Sequence, residues 1–554
     1  MKLTGSEIII ECLKEQGVKE IFGYPGGAAL NIYDSLYKHQ DEIIHYLTSH
    51  EQHASHAADG YARASGKVGV VFTTSGPGAT NIVTGLATAY MDSVPVVAIT
   101  GQVATSLLGK DSFQEVDITG ITMPITKHNF IVKDVNNLAN TIRKAFDIAR
   151  SGRPGPVLVD VCKDVTSALV DYDKIEIDTN KKQEIIISSK EDIEEAIEII
   201  NESQRPFICA GGGVISSEAS EELLKFVETI NAPIATTLMG LGGMPSLHPN
   251  YTGLVGMHGS RTSNYAVLNC DLLIAVGARF SDRVISRVDK FAPKAKIIHI
   301  DIDPAEIDKN VGSDIALVGD VKNILKILNE SLNKKTNSEW INKIREWKKE
   351  YPLSYPNDGK LHPQYIIERI SALTNNDAII TTEVGQNQIW AAQFYKYQRP
   401  RQFISSGGLG TMGYGFGAAI GAKIAKKDKI VIDVAGDGSF RMNSGELSTA
   451  VHYNIPVIIA LMNNGVLGMV RQWQDLFYEK RFSQTTLNRP PDFVKLAEAY
   501  GALGIRVKTP EEVDTAIIKA IESGRPTIID FVLDMDEKAF PIVPPGAPID
   551  EIID

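Results

Sequence analysis

Two segments, Ile430-Val-Ile-Asp-Val-Ala-Gly-Asp-Gly-Ser439 and Val457-Ile-Ile-Ala-Leu-Met-Asn-Asn464, decide the fold. Each begins as an apolar run typical of a buried parallel strand and ends in polar residues. The pattern between them predicts an amphipathic helix from about residue 443 to 452. The two strands are therefore expected to be neighbours, with Asp437 and Asn464 at their carboxyl ends, where open α/β sheets bind ligands.

The polar residues after these strands suit a metal-bound phosphate. Asp437 and Asn464 offer hard oxygen ligands, which Mg²⁺ accepts while it keeps other positions for phosphate oxygens. The neighbouring glycines let the backbone come close to such a group. The alternative is a tight turn followed by an Asn-rich turn, and either half alone is usually that.

Length and charge bound the remaining possibilities. A chain of 554 residues is too long for one core, so about three domains are expected. The formal charge of −12 disfavours nucleic acid and membrane surfaces as partners, and it requires local positive charge at any anion site. Four cysteines without a CxxC spacing, no signal peptide and no apolar span predict a cytoplasmic protein.

A strand-helix alternation punctuated by Gly and Pro predicts the α/β class with doubly wound parallel sheets. The first and last thirds also echo each other, because Leu86-Ala-Thr-Ala89 and Leu447-Ser-Thr-Ala450 each follow a glycine loop and precede a strand. They are predicted to share one fold, although convergent strand-turn-helix sequences are the alternative. The middle third opens with an apolar run into Gly211-Gly-Gly213 and is predicted to be Rossmann-like.

Charged stretches separate these thirds and predict linkers at 171–192 and 333–359. The predicted domains are residues 1–170, 190–332 and 360–535, followed by a tail at 536–554.

Three further motifs have both a structural and a functional interpretation. Gly408-Leu-Gly-Thr-Met-Gly413 matches a dinucleotide fingerprint, but Asp433 is predicted inside its strand, so a cofactor loop of another kind is favoured. The segment 75–81 is either an anion-binding helix start or a tight turn. Glu51 is predicted at a helix start, where an acid often only complements the dipole.

Nearly the whole chain resembles the catalytic subunits of the acetolactate synthase family of thiamine-diphosphate enzymes. The GDG-to-NN spacing and the segment from Glu51 to Arg63 are similar to that family. The other words that carry the resemblance are Phe22-Gly-Tyr-Pro-Gly-Gly-Ala28, Ser75-Gly-Pro-Gly-Ala-Thr-Asn81, Phe113-Gln-Glu115, Lys163-Asp-Val165, Gly256-Met-His-Gly259, Arg279-Phe-Ser-Asp-Arg283, Gly407-Gly-Leu-Gly-Thr-Met412 and Gly468-Met-Val-Arg-Gln-Trp473. The resemblance implies a pyrimidine-binding first domain, a central FAD-binding domain and a diphosphate-binding last domain.

The resemblance also implies how thiamine diphosphate is held. Glu51 would hydrogen-bond the aminopyrimidine as a catalytic acid-base group, and Met412 would keep the cofactor bent. Mg²⁺ would bind Asp437, Asn464 and Val466. The other implied contacts are Gly385, Gln386, Asn387, Gly410, Gly438, Ser439 and Met469; at Asn387 the family usually has His, although an amide can still donate.

The implied reaction is decarboxylation of pyruvate and transfer of the two-carbon unit to pyruvate or 2-oxobutyrate, which gives 2-acetolactate or 2-aceto-2-hydroxybutyrate for branched-chain amino-acid biosynthesis. Gln114 and Lys163 match catalytic positions. The implied substrate residues are Gly27, Phe113, Arg283 and Trp473. The segment 540–546 resembles the family's closing segment and is expected to act as a lid.

FAD is the second implied cofactor. The chain has Arg279-Phe-Ser-Asp-Arg283 where biosynthetic members have RFDDR, so Ser281 leaves flavin retention open. The implied flavin contacts are Arg153, Thr237, Leu238, His258, Arg279, Asp301 and Asp320. The resemblance further implies a homodimer or homotetramer with active sites between subunits, and it leaves a small regulatory subunit open.

Rival functions are a pyruvate oxidase, which passes electrons to FAD, and an FAD-free catabolic acetolactate synthase. Trp473 and Arg283 argue for a 2-oxoacid acceptor over the oxidase. Glyoxylate carboligase is disfavoured because its family lacks a glutamate at the Glu51 position. A non-catalytic binding module is disfavoured because Glu51, Asp437 and Asn464 are all present.

Overall fold

Three six-stranded parallel sheets, one in each third of the chain, form the core of this computed structural model, which describes residues 1–178, 185 and 188–554. Helices cover the sheets, so the inner strands are buried on both faces, as in doubly wound folds. The predicted fold class is therefore confirmed. Within the described residues no helix is both long and apolar enough to cross a bilayer.

The first domain holds the sheet with strand order β3-β2-β4-β5-β7-β6, and β1 pairs with β8 as a separate antiparallel ribbon. Its strands are β1 (Lys2–Thr4), β2 (Glu20–Gly23), β3 (Ile44–Leu47), β4 (Gly69–Thr73), β5 (Val96–Gln102), β6 (His128–Val132), β7 (Val157–Cys162) and β8 (Leu169–Asp171). Its helices are α1 (Gly5–Glu15), α2 (Leu30–Tyr37), α3 (Glu51–Ser65), α4 (Pro77–Asn81), α5 (Val83–Met91), α6 (Ile118–Thr122), α7 (Leu138–Arg150) and α8 (Lys163–Ser167).

The middle domain has strand order β11-β10-β9-β12-β13-β14, which is the Rossmann order 3-2-1-4-5-6 and confirms that prediction. Its strands are β9 (Pro206–Ala210), β10 (Ile234–Thr236), β11 (Tyr251–Leu254), β12 (Leu272–Val276), β13 (Lys296–Asp301) and β14 (Ile315–Val318). Its helices are α9 (Lys190–Glu202), α10 (Gly212–Ser216), α11 (Ser220–Ile230), α12 (Arg261–Asn269), α13 (Asp282–Ile285) and α14 (Val321–Ser331), followed by α15 (Ser338–Glu350).

The last domain has strand order β16-β15-β17-β18-β20-β19, which repeats the order of the first domain strand for strand. This confirms that the two outer thirds share one fold. The strands are β15 (Ile379–Thr382), β16 (Phe403–Ile404), β17 (Val431–Gly436), β18 (Val457–Asn463), β19 (Leu503–Val507) and β20 (Thr527–Val532). The helices are α16 (Pro363–Leu373), α17 (Gln386–Phe394), α18 (Gly415–Ala425), α19 (Asp437–Phe440), α20 (Leu447–His452), α21 (Gly468–Phe477), α22 (Phe493–Tyr500) and α23 (Pro510–Ser523).

The two segments that opened the sequence analysis are adjacent strands. β17 and β18 pair in parallel register from Val431 opposite Val457 to Gly436 opposite Met462. The predicted helix between them is shorter than expected, because residues 444–446 form a 3-10 turn before α20 begins.

One predicted linker is structured. The stretch 333–359 contains α15, whose Trp340, Ile344 and Trp347 recur at helical spacing and pack into an apolar cluster of the middle domain. The many charged residues of this stretch obscure the apolar spacing in the sequence. The linker prediction was therefore wrong at Ser338–Glu350. In the other linker, 171–192, residues 179–184 and 186–187 lie outside the described residues.

Helix α3 of the first domain packs directly on α18 of the last domain. A Cβ added at Gly60 would overlap the Ala418 carbonyl oxygen, and one added at Gly421 would overlap the Ala57 carbonyl oxygen. The two backbones therefore touch at glycines. Because α3 begins at Glu51 and α18 follows the 407–413 loop, this contact fixes two candidate site elements relative to each other.

Candidate functional site

The Asp437 carboxylate lies at the start of α19, immediately after β17. It is 1 % exposed, and among the described residues neither of its oxygens has a hydrogen-bond partner. Burial raises its pKa to about 7. An uncompensated buried carboxylate is costly in a native fold, so this side chain fits a bound cation.

Asn464 follows β18 and lines the same narrow cleft as Asp437. Its Oδ1 accepts from the Val466 N–H at 3.3 Å, and its Nδ2 donates to the Gln386 Oε1 at 3.3 Å. Within the described residues no group of three or more His, Cys, Asp or Glu side chains is placed to hold a metal. A metal here would therefore depend on Asp437, on amide and backbone oxygens, and on a ligand phosphate.

Eight further residues predicted to contact thiamine diphosphate or its metal surround the same cleft, whereas Gly410 lines the larger cleft described below. Gly385 has φ 155° and lies at the start of α17. The structure places these predicted residues along the cleft walls: Gly385, Gln386, Asn387, Met412, Gly438, Ser439, Val466 and Met469.

Asn387 departs from the expectation that its amide donates to a ligand. Its Nδ2 donates to the backbone oxygens of Glu383 at 2.9 Å and Val434 at 2.7 Å. Its Oδ1 lies beside Gly385 and Gly436. Both amide N–H groups are thus committed to backbone carbonyls, which leaves an oxygen rather than a donor near the cleft.

Glu51 lies at the first turn of α3, on the first domain, where His50 caps the helix by accepting from the Gln52 N–H. The Asn81 Nδ2 donates to Glu51 Oε2 at 2.9 Å, so the segment 75–81 and Glu51 meet. Among the described residues that line the Asp437 cleft, Glu51 is absent. Glu51 is also absent from the described residues that line the larger cleft considered next.

A second, larger cleft of about 1820 Å³ runs between the three domains. Met412, Gly410 and Ser281 line it together with Arg283 and Trp473. All seven residues predicted to contact a flavin lie on its walls: Arg153, Thr237, Leu238, His258, Arg279, Asp301 and Asp320.

The ionisable side chains on the walls of the larger cleft include Arg153, His258 and Arg283. The Arg153 guanidinium pairs with Asp303 at 3.1 Å and Glu306 at 2.7 Å. Burial lowers the pKa of His258 to about 4, so this imidazole is neutral. The Arg283 guanidinium lies 5.9 Å from the Trp473 ring centroid, a cation–π distance.

The predicted substrate residues fall into two groups. Arg283 and Trp473 line the large cleft, whereas Gly27, Phe113 and Lys163 lie on the exposed surface of the first domain. The Phe113 side chain is 89 % exposed. Gln114 packs against Gly76, because a Cβ there would touch it. Gly27, Phe113, Gln114 and Lys163 are all absent from the described residues that line the large cleft.

The tail packs between the middle and last domains. Gln386 Nε2 donates to the Glu537 carbonyl oxygen at 2.7 Å, and Gln472 exchanges two hydrogen bonds with the Ala539 backbone. Further along, the Val543 N–H donates to the Met257 carbonyl oxygen at 2.8 Å, and Val543 is buried. The segment predicted to act as a lid therefore contacts Met257 and His258, which lie on the wall of the large cleft.

Glu383 was missed in the sequence. It is 0 % exposed, directly after β15, and burial raises its pKa. The signal was available, because an acid at the carboxyl end of an apolar strand is the same pattern that identified Asp437. Its contacts are described below.

Comparison with known proteins agrees with this geometry. Models of the thiamine pyrophosphate enzyme match in three parts: the N-terminal TPP binding domain at residues 3–121, the central domain at 193–328 and the C-terminal TPP binding domain at 383–531. A probable acetolactate synthase large subunit of Methanocaldococcus jannaschii is 51% identical, with 100% of this chain and 95% of the relative aligned. The acetolactate synthase large subunit of Haemophilus influenzae is 44% identical (100% and 98%), and the isozyme 3 large subunit of Escherichia coli is 43% identical (99% and 98%).

Proposed function

Because the chain belongs to the acetolactate synthase large-subunit family of thiamine pyrophosphate enzymes, we propose that it joins two 2-oxoacids with loss of carbon dioxide. The donor is pyruvate and the acceptor is pyruvate or 2-oxobutyrate. The products are 2-acetolactate and 2-aceto-2-hydroxybutyrate, intermediates of branched-chain amino-acid biosynthesis. The observation that carries the proposal is the buried Asp437 carboxylate beside Asn464, with both oxygens unpartnered among the described residues.

The donor set fits Mg²⁺ and a diphosphate. Asp437 supplies one charged oxygen, and Asn464 Oδ1 and the Val466 carbonyl supply neutral ones, as Mg²⁺ prefers when phosphate oxygens complete its shell. Gly438 leaves room at the cleft wall, since a Cβ there would strike the Leu467 side chain. Thiamine diphosphate, when bound, supplies the carbon nucleophile that attacks a 2-oxoacid carbonyl.

Glu51 would hold and move the proton at the aminopyrimidine nitrogen. The hydrogen bond from Asn81 fixes the carboxylate, which is what a general acid-base group requires. As the family resemblance implies, Glu51 would serve the cofactor held by another subunit. The active enzyme is then a homodimer or a homotetramer.

The acceptor would bind between Arg283 and Trp473. The guanidinium pairs with a substrate carboxylate in a two-point geometry, and this local positive charge offsets the net charge of −12. The exposed first-domain residues Phe113, Gln114 and Lys163, with Gly27, would complete the entrance from the neighbouring subunit.

The large cleft would hold FAD. Seven side chains of the predicted set share its walls, and a volume of about 1820 Å³ leaves space for a dinucleotide as well as substrate access. Ser281 is the N-cap residue of α13, and this short helix forms although the Ser281 side chain makes no capping hydrogen bond to a described residue.

A small regulatory subunit is the proposed protein partner, because the relatives are named large subunits. The proposed location is the cytoplasm. Neither nucleic acid nor a membrane surface is a proposed partner, since the net charge of −12 repels both.

One assay tests the function. The purified chain is incubated with pyruvate, thiamine diphosphate and Mg²⁺, with and without FAD, and acetolactate and acetate are both measured. Acetolactate formation that requires Mg²⁺ supports the proposal, and addition of 2-oxobutyrate should then give the second product. Acetate with bleaching of the flavin and no acetolactate would instead indicate a pyruvate oxidase, and full activity without FAD would indicate the catabolic type.

A further inference from the structure

The loop of residues 407–413, here called the Met412 loop, is held by carboxylates from two different domains. It carries Met412, which lines both the Asp437 cleft and the large cleft, and Gly410, which lines the large cleft. A loop without regular structure needs outside partners to keep one conformation, because its own backbone groups are not paired in a sheet or helix.

Asp92 of the first domain holds the start of the loop. Its Oδ1 accepts from the Gly408 N–H at 2.7 Å, and its Oδ2 accepts from the Gly407 N–H at 3.0 Å. The Asp92 side chain is fully buried, and the Arg63 guanidinium donates to it at 2.9 Å. Further along, the Thr88 and Thr411 hydroxyls lie 2.7 Å apart. The first domain therefore holds the loop through the Asp92 carboxylate, which is paired with Arg63, and through the Thr88 hydroxyl.

Glu383 of the last domain holds the end of the loop. Its Oε2 accepts from the Gly413 N–H at 2.7 Å and from the Ser439 hydroxyl at 2.5 Å. Its Oε1 accepts from the Phe416 N–H at 3.2 Å and from the Asn443 amide. One side chain thus ties together the Met412 loop, the start of α18 and the segment that follows Asp437.

These contacts require an acceptor-only group. A carboxylate offers lone pairs to all four donors, whereas an amide of the same shape turns an N–H toward at least one of them. Hydrogen bonds to an ionised acceptor are also the stronger kind. No described lysine or arginine makes a salt bridge to Glu383, so hydrogen bonds rather than a paired cation hold it.

We propose that Glu383, with Asp92, is a positioning residue that presets the Met412 loop and Ser439 for the cofactor. It touches neither cofactor nor substrate and acts through Gly413 and Ser439. The inference rests on the proposed function, because Met412 and Ser439 matter only if thiamine diphosphate binds there. Glu383, a residue of the protein core, would thereby help to set the geometry in which the cofactor is held.

The main test is direct cofactor binding by the full-length chain after removal of metal and cofactor. Thiamine diphosphate is titrated at fixed Mg²⁺ by calorimetry, with no turnover required. Glu383→Gln should weaken binding by about 10- to 100-fold, the cost of losing a hydrogen bond to a charged group. Thermal unfolding of the variant, measured in parallel, should show one cooperative unfolding transition, which indicates that the variant is folded.

Asp160→Asn is the matched control. Asp160 is 1 % exposed, against 0 % for Glu383, and lies in β7 of the first domain, where it accepts hydrogen bonds from the Thr100 hydroxyl and the Gln102 amide rather than from the loop. Its substitution should leave thiamine diphosphate affinity within about twofold of the unaltered chain, in line with a site that shares no partner with the loop. Equal losses in both variants would overturn the proposal, because they would indicate a general packing effect.

Hydrogen exchange gives a readout without any cofactor. In the cofactor-free chain, peptides that cover residues 407–416 should exchange faster in Glu383→Gln than in Asp160→Asn, since the Gly413 N–H loses its acceptor. If Glu383→Gln does not fold, Glu383→Asp replaces it, because the charge is kept while the reach is shortened.

Two failures are distinguishable. If the unaltered chain does not bind thiamine diphosphate with Mg²⁺, the proposed function fails and the positioning role falls with it. If the unaltered chain binds while Glu383→Gln or Glu383→Asp binds equally well with unchanged exchange, only the positioning role is overturned.

Discussion

The first and last domains have the same strand order but present different chemistry at the same place. The third strand of each sheet is β4 in the first domain and β17 in the last. After β17 comes Asp437, an unneutralised buried acid, whereas β4 leads into the neutral segment 75–81, which supports Glu51 through Asn81. Under the proposed function, one scaffold would hold a cation site in one copy and a proton-transfer group in the other.

The helices that precede these two strands, α3 and α18, also differ at their first residue. α3 begins with Glu51, whereas α18 begins with Gly415, where a Cβ would overlap the Glu383 backbone. Under the proposed function, the two copies of the fold are specialised by their loop and helix-start residues, whereas the strand order is common to both. Function carried by loops on a shared scaffold is a general property of such folds.

The largest expected effect comes from the first domain. Glu51→Gln should lower kcat by about 10²- to 10⁴-fold, the usual contribution of a positioned acid-base group, while thiamine diphosphate binding is retained. Steady-state rates and calorimetric binding measure the two separately. Asp34→Asn, which removes an exposed carboxylate of the same domain, is the control. Near-normal kcat in Glu51→Gln would contradict the division of chemistry between the domains.

In the last domain, substitution of Asp437 is expected to affect cofactor binding rather than proton transfer. Asp437→Asn should weaken Mg²⁺-dependent thiamine diphosphate binding by about 100-fold, the upper end of what the loss of a supporting residue costs a metal site. Titration of both ligands measures this. Retained affinity, with only kcat reduced, would mean that Asp437 is not the metal ligand.

The contact that both domains share is tested by Gly421→Ala. Helix propensity alone favours Ala by about 1 kcal/mol, but the new Cβ would overlap the Ala57 carbonyl oxygen. Steric overlap should win and lower the free energy of unfolding by about 1–3 kcal/mol. Gly312→Ala is the control, because a Cβ there has no neighbour within 4 Å among the described residues. Denaturant titration decides, and a stabilised Gly421→Ala would show that the helices separate easily.

The smallest effect concerns pH. Burial raises the Asp437 pKa to about 7 in the metal-free protein, and only the ionised form binds metal. Mg²⁺ affinity should therefore fall by about tenfold from pH 8 to pH 6. The folded pKa lies above the ordinary value, so this group destabilises the metal-free fold as pH rises from about 4 to 7. Asp437→Asn should lose both trends, and unfolding with a chelator present measures the second.

Much of this arrangement follows from local sequence patterns. The apolar runs at 430–435 and 457–462 predicted neighbouring strands, and the strand ends predicted where Asp437 and Asn464 lie. The shared fold of the outer thirds was predicted from short sequence motifs that recur in the same order. These features depend on periodicity and chain order, which are visible in a single sequence.

Other features depend on contacts that the sequence does not encode locally. Asp92 meets Gly407 more than 300 residues away, and Glu383 gathers donors from three separate segments. The orientation of Asn387 depends on which carbonyls its amide can reach in the fold. The placement of Glu51 away from its own chain's Asp437 cleft depends on how the domains pack.

The glycine contact between α3 and α18 has a consequence for protein engineering. Because the two backbones meet at Gly60 and Gly421 without intervening side chains, neither half can be exchanged freely for that of a relative. A chimera that joins a foreign first third to this last third would assemble only when the incoming helix brings a residue without a side chain at the crossing. Recombination libraries should therefore inherit these two positions as a pair.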